Sequence, residues 1–245
     1  MPRAEEKLLV SWKGPKSKTN YFVGLLSKKD DVDGPTYTFL YNKEIVEEAE
    51  NEGFAPFIGL KDVDKEYKSK KLFPVFERRL PNQSRNVFQK FIHANNLHES
   101  NTATWEYLKI TMGKTATDRL SFLEPVYIED GKLSYTGQVA GWSFTMDENP
   151  NLKVNSEILL RIDHQNKKDP MAVEVLDPNN EYSRVGYIQK PFNKVFFNLL
   201  TNGHSFTGYI KSVDSYDGRP LIAIEESIPN HLIIEHPLPY LVETQ

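Results

Sequence analysis

The sequence predicts an α+β protein made of two small domains, and three observations carry that expectation. Short runs such as Thr36–Tyr41 (TYTFLY) and Met171–Val175 alternate apolar and polar residues with the period of two that marks a half-buried strand. Three longer stretches, near residues 84–97, 102–112 and 191–200, instead place apolar residues on one helical face. The chain has 245 residues, of which 39% are hydrophobic, 12% aromatic and 26% charged, enough to order and fill two modest cores.

In chain order, Leu8–Trp12 and Tyr21–Leu26 read as two strands around the polar turn Gly14–Lys18, and Thr36–Tyr41 as a third. Glu44–Glu52 reads as one or two helical turns that end near Gly53, with its acidic residues forming a solvated face. Tyr67–Leu80 (YKSKKLFPVFERRL) interleaves five cations with Leu72, Phe73, Val75 and Phe76. Such a mixture can track a phosphate backbone and stack bases, yet the clustered rings suit a core. The rings are expected inside, and the role of the cations stays open.

Ser84 is positioned to cap a helix whose face carries Val87, Phe88, Phe91 and Ile92, weakened at Asn95-Asn96 and closed by Leu97. A second helix, from about Thr102 to Met112, buries Trp105, Leu108 and Met112 and ends at Gly113. His93 and His98 flank the end of the first helix as surface or cap residues.

Glu129–Lys132 reads as the linker, within about ten residues either way, which puts domains at 1–130 and 131–230 and a tail at 231–245. Strands follow at Ser134–Phe144 and Glu157–Asp163. A polar loop, Asn166–Pro170, then leads into the strand around Met171, Val173 and Val175, the turn Asp177–Asn180, and a strand from Tyr182 to Ile188. Pro191 suits the first turn of a helix with Val195, Phe196, Leu199 and Leu200 on its apolar face and Gly203 at its end. Strands at Ser205–Val213 and Leu221–Glu225 flank a hairpin turn at Tyr216–Pro220. The proline-bearing tail is expected to pack across a groove or the other domain.

The chain has no cysteine, which removes disulfides, thiolate zinc sites and cysteine nucleophiles and fits a reducing cytoplasm. No run of about eighteen apolar residues predicts a membrane span, and MPRAEEKLLVSW lacks a signal-peptide core. Net charge is −4. Residues 1–130 carry 20 basic and 20 acidic side chains, and residues 131–245 carry 10 and 14. Binding of a polyanion by the second half is therefore expected to be local and group-specific.

The order of five segments in the second half resembles the HIRAN domain: Val139–Phe144, Leu152–Ile162, Asn-x-x-Asp-x-x-Ala-Val at 166–173, Val-Gly-Tyr-Ile at 185–188, and the helix with its Leu-Leu pair. The resemblance spans about Tyr135 to Ile228 and implies a small β-barrel with one or two helices. It also implies a site for nucleic acid, single-stranded DNA ends above all. Asp169 matches the family's acceptor for a terminal 3′ hydroxyl, Asn166 the loop asparagine, and Lys190 a cation suited to a phosphate. Tyr187 stands where an aromatic or imidazole ring is common; its structural role would be core packing. Lys168 replaces an aromatic that stacks on the last base, and Ser143-Phe144 replaces an Arg-Tyr pair. The site expectation is thus Asn166, Lys168, Asp169, Tyr187 and Lys190.

The first half, from Leu8 to Pro125, is similar to the N-terminal subdomain of HipA-type toxin kinases. The segment Leu72–Pro81 (LFPVFERRLP) followed by two helices carries the likeness, which implies a small β-sheet with two packed helices. No glycine-rich phosphate loop or kinase-type Asp/Asn pair is present. Three functions compete: a non-enzymatic nucleic-acid-binding module, a protein-interaction partner of a toxin kinase, a DNA-processing enzyme or a defence system, and an enzyme. The enzyme ranks last, because Asp163 and His164 are adjacent and expected to point to opposite faces of a strand. His231 and His236 lack a partnered carboxylate pattern, and Glu225-Glu226 reads as a strand end. No metal or cofactor is called for.

Overall fold

Alternating strands can satisfy their backbone groups only by pairing, and here they do so in two separate sheets. The computed structural model describes residues 5–82, 84–94, 100–115, 118–213, 218–228 and 241–244. The chain divides into two compact units, Met1–Glu124 and Pro125–Gln245.

In the first unit, β1 (Glu5–Lys13), β2 (Asn20–Asp31), β3 (Gly34–Tyr41), β4 (Tyr67–Ser69) and β5 (Leu120–Leu123) form an antiparallel sheet in the order β4-β3-β2-β1-β5. The helices are α1 (Lys43–Glu50), α2 (Pro74–Glu77), α3 (Asn86–Ala94) and α4 (Ser100–Thr111). Asn42 caps α1 by accepting from the Ile45 N–H at 3.3 Å. Helices α3 and α4 are the expected pair, joined where Tyr107 meets the rings of Phe91 and Phe88, with centroids 4.9 and 5.8 Å away. Ser84 lies two residues before α3, and its hydroxyl donates to Asn82 Oδ1.

Phe39, Phe73, Phe76, Trp105, Leu108 and Phe122 are buried together in this unit's core. The rings of the Tyr67–Leu80 segment therefore point inward. Three of its five cations have partners: Lys68 pairs with Glu66, Lys70 donates to Thr36, and buried Arg79 holds Asp118 and the carbonyl of Gly113.

In the second unit, β6 (Val126–Glu129), β7 (Lys132–Gln138), β8 (Glu157–Ile162), β9 (Val173–Asp177), β10 (Ser183–Tyr187), β11 (Thr207–Val213), β12 (Pro220–Ser227) and β13 (Leu241–Thr244) form one sheet. Its order is β10-β9-β8-β11-β12-β7-β6-β13. All pairs are antiparallel except β13 on β6. Helix α5 (Asn193–Thr201) buries Val195, Phe196 and Leu199.

Several expectations need correction. Glu129–Lys132 is not a linker. Asp130 and Gly131, at φ 49° and 71°, turn β6 into β7, and the division falls just before β6, within the ten residues allowed for it. The predicted strand at Ser134–Phe144 stops at Gln138, and the chain continues as two 3-10 turns, Trp142–Phe144 and Met146–Glu148. No ladder closes a barrel among the described residues. The sheet curls until Ala140, just past β7, exchanges two 2.9 Å hydrogen bonds with Tyr187 of β10, a single bridge. His98, Asn95–Leu97, Tyr216, Asp217, His231 and His236 lie outside the described residues, as does most of the tail. Among the described residues no helix is long and apolar enough to cross a membrane.

Candidate functional site

The site is a product of strand register. Arg161 of β8 faces Glu174 of β9, and Glu174 faces Tyr187 of β10, so the three side chains share one row on one face. Arg184 would normally lie opposite to Tyr187, three residues along a strand of period two. A bulge between Arg184 and Gly186 inserts Val185 and turns Arg184 onto the same face. Gly186 is required there, because a Cβ would meet Val139 Cγ1 at 2.3 Å and the Ala140 carbonyl oxygen at 2.5 Å.

The result is a bonded row. Arg161 donates from Nε and Nη2 to Glu174 Oε2 at 3.0 and 2.9 Å. Arg184 Nη1 reaches Glu174 Oε1 at 3.4 Å and the Tyr187 hydroxyl at 2.8 Å, and its guanidinium lies 5.1 Å from the Tyr187 ring centre. The Tyr187 hydroxyl in turn donates to Asp163 Oδ2 at 2.9 Å. The Glu174 side chain is 8% exposed, whereas those of Arg161 and Arg184 are 60% and 43% exposed. Partial burial would raise the Asp163 pKa. The hydrogen bonds from Tyr187 and the Gln165 N–H, with the Arg184 charge, outweigh it and hold that carboxyl below its ordinary range. Burial and the bond to Asp163 push the Tyr187 hydroxyl up. These groups line an open hollow of about 590 Å³, together with His164, Gln165 and Asn166.

Beside the hollow, Asn166 folds its own loop. Its Oδ1 accepts from the N–H groups of Lys168 and Asp169 at 3.0 and 3.1 Å. Asp169 is therefore fixed, and it is already engaged. Oδ1 accepts from the Met171 N–H at 3.1 Å, while Oδ2 accepts from Asn193 Nδ2 at 3.0 Å and lies 3.2 Å from Lys190 Nζ.

Of the five expected residues, Asn166, Asp169 and Lys190 come together through the loop, and Asn166 and Tyr187 line the hollow. Lys168 is exposed and contributes only its N–H to the loop. Tyr187 is not core packing: it is half-buried and its hydroxyl links Arg184 to Asp163. Asp163 and His164 follow β8 in a loop rather than sitting on a strand. Arg161, Glu174, Arg184 and Asn193 were not foreseen. The available signal was charge inside otherwise apolar strands. Phe144, on the 3-10 turn that follows Gly141, is 88% exposed.

Residues 132–228 match the family model of the HIRAN domain. No curated protein matches the chain. Among solved structures, a Lactobacillus plantarum protein is 21% identical with a TM-score of 0.33, over 39% of this chain and 99% of that one. The HIRAN domain of human HLTF is 18% identical with a TM-score of 0.33, over 39% and 78%.

Proposed function

We propose, taking residues 132–228 as a HIRAN domain, that this is a non-enzymatic cytoplasmic protein that holds single-stranded DNA by its free 3′ end. The observation that carries the reading is the fixed Asp169 carboxylate, set by the Asn166 turn and backed by Asn193 and Lys190. A carboxylate offers about four acceptor positions, and three are used here. Lys190 is largely exposed, so its ammonium can turn to a phosphate and leave Oδ2 to a terminal hydroxyl. An internal nucleotide has no such donor, which selects ends. Phe144 offers a ring for a base where Lys168 cannot. An oligonucleotide with a free 3′ hydroxyl should bind more tightly than the same strand blocked there, and Asp169→Ala should erase the difference. Equal affinity of the unaltered protein for both strands would sink the reading.

The first unit supports a second reading. Its sheet carries a packed helix pair, as the likeness to the HipA-type N-terminal subdomain implies, and its Tyr67–Leu80 rings are committed to the core. We assign it the docking of a partner, a toxin kinase or DNA-processing enzyme. Pull-down from the native cell should recover that protein; repeated recovery of nucleic acid alone would argue against it.

A further inference from the structure

We infer that the Arg161–Glu174–Arg184 row is a phosphate subsite of its own, seating an internal phosphodiester of the strand whose end Asp169 reads. The inference rests on the nucleic-acid reading above. A guanidinium has five N–H donors. Arg161 spends those of Nε and one of Nη2, and Arg184 spends those of Nη1. Both side chains line the hollow and are exposed, so the remaining donors are within a ligand's reach. One buried carboxylate holds both guanidiniums, so the row carries a net single positive charge with its forks already oriented. That suits the single negative charge of a phosphodiester. Asp163 also borders the hollow; the Tyr187 hydroxyl and the Gln165 N–H bond its oxygens without removing its charge, so a phosphate is held by the oriented guanidinium N–H groups beside it and not by a net positive hollow.

Glu174 gives the inference a sign that separates it from scaffolding. Glu174→Gln removes the negative charge and keeps an oxygen for the guanidinium, so the row gains a charge toward the ligand. If the row only braces the sheet, every substitution in it weakens binding or leaves it alone. The experiment measures the affinity of the full chain for a single strand with a free 3′ hydroxyl and for the same strand blocked there, across a salt series, with thermal unfolding as a folding control. Arg161→Gln and Arg184→Gln should each lower affinity about tenfold for both strands and flatten the salt dependence by roughly 0.7 in slope. The preference for the free end should persist. Glu174→Gln should tighten binding to both strands.

Unchanged affinity in the arginine variants, or weaker binding in Glu174→Gln, overturns the subsite while leaving end recognition by Asp169 standing. Loss of the end preference in the arginine variants also overturns it, by merging the row with the end pocket. If the unaltered protein binds both strands equally while the three variants behave as expected, end recognition falls and the subsite stands. If it binds neither strand, both fall.

Discussion

Lys190 Nζ lies 3.2 Å from Asp169 Oδ2, so an exposed cation completes the set of contacts on a carboxylate that also accepts from the Met171 N–H and from Asn193. With its cation mostly in solvent the pair is well screened and contributes on the order of 1 kcal/mol. That is small enough for a phosphate and a hydroxyl together to part them. Lys190→Gln should therefore leave the melting temperature nearly unchanged and weaken DNA binding, while the preference for a free 3′ hydroxyl survives. Competition binding with free and blocked strands checks this. A lost preference would mean that Lys190 positions Asp169 instead of serving a phosphate.

Phe144 tests the stacking part of the proposal. Its ring is 88% exposed, so truncation removes almost no buried surface. Phe144→Ala should change stability by no more than about 0.5 kcal/mol. If a base stacks there, it should cost about 1–3 kcal/mol of binding, roughly ten- to a hundredfold. Parallel melting and affinity measurements separate the two effects.

Acid should act on the first unit through Glu52. The Ser17 hydrogen bonds, with those from the Lys16 N–H and the Tyr21 hydroxyl, lower its pKa to about 2 from 4.5. A depressed folded-state pKa stabilises the fold above the unfolded value and loses that contribution as pH falls toward the folded one. Glu52→Gln should thus melt below the unaltered protein at pH 6, and the gap should shrink between about pH 4.5 and 2. A gap that does not change with pH would assign the effect to packing.

How far the sequence discloses this molecule depends on how local each cause is. Trp105, Leu108 and Met112 are read correctly from helical spacing, because one helix face decides their burial. Glu52 is solvated as read, but its bonds to Lys16, Ser17 and Tyr21 are not legible, since those partners lie more than thirty residues away. The alternation around Val173 predicts a half-buried strand, but all five residues of β9 are buried. Glu174 is tolerated there because a strand on each side brings it an arginine, and that pairing is a fact of topology. Asp169 and Asn166 are legible from the loop motif, whereas Asn193 gives no sign that it will reach back to Asp169.

The bulge at Val185 gives the strongest test of how the second unit builds its site. Gly186 lets β10 come close enough for Tyr187 and Ala140 to exchange their two hydrogen bonds. A methyl group added there would sit 2.3 Å from Val139 Cγ1 and 2.5 Å from a backbone oxygen, and the backbone oxygen cannot rotate away. Gly186→Ala should destabilise the second unit by about 1–3 kcal/mol, the usual range for overpacking. Relief requires β10 to move off Ala140, which shifts Tyr187 and Arg184 away from Asp163 and Glu174. The variant should therefore lose single-strand affinity at temperatures where it is still folded. Unchanged affinity and an unchanged melting temperature would show that the strand relaxes without disturbing the row, and the bulge would then have no part in forming the site.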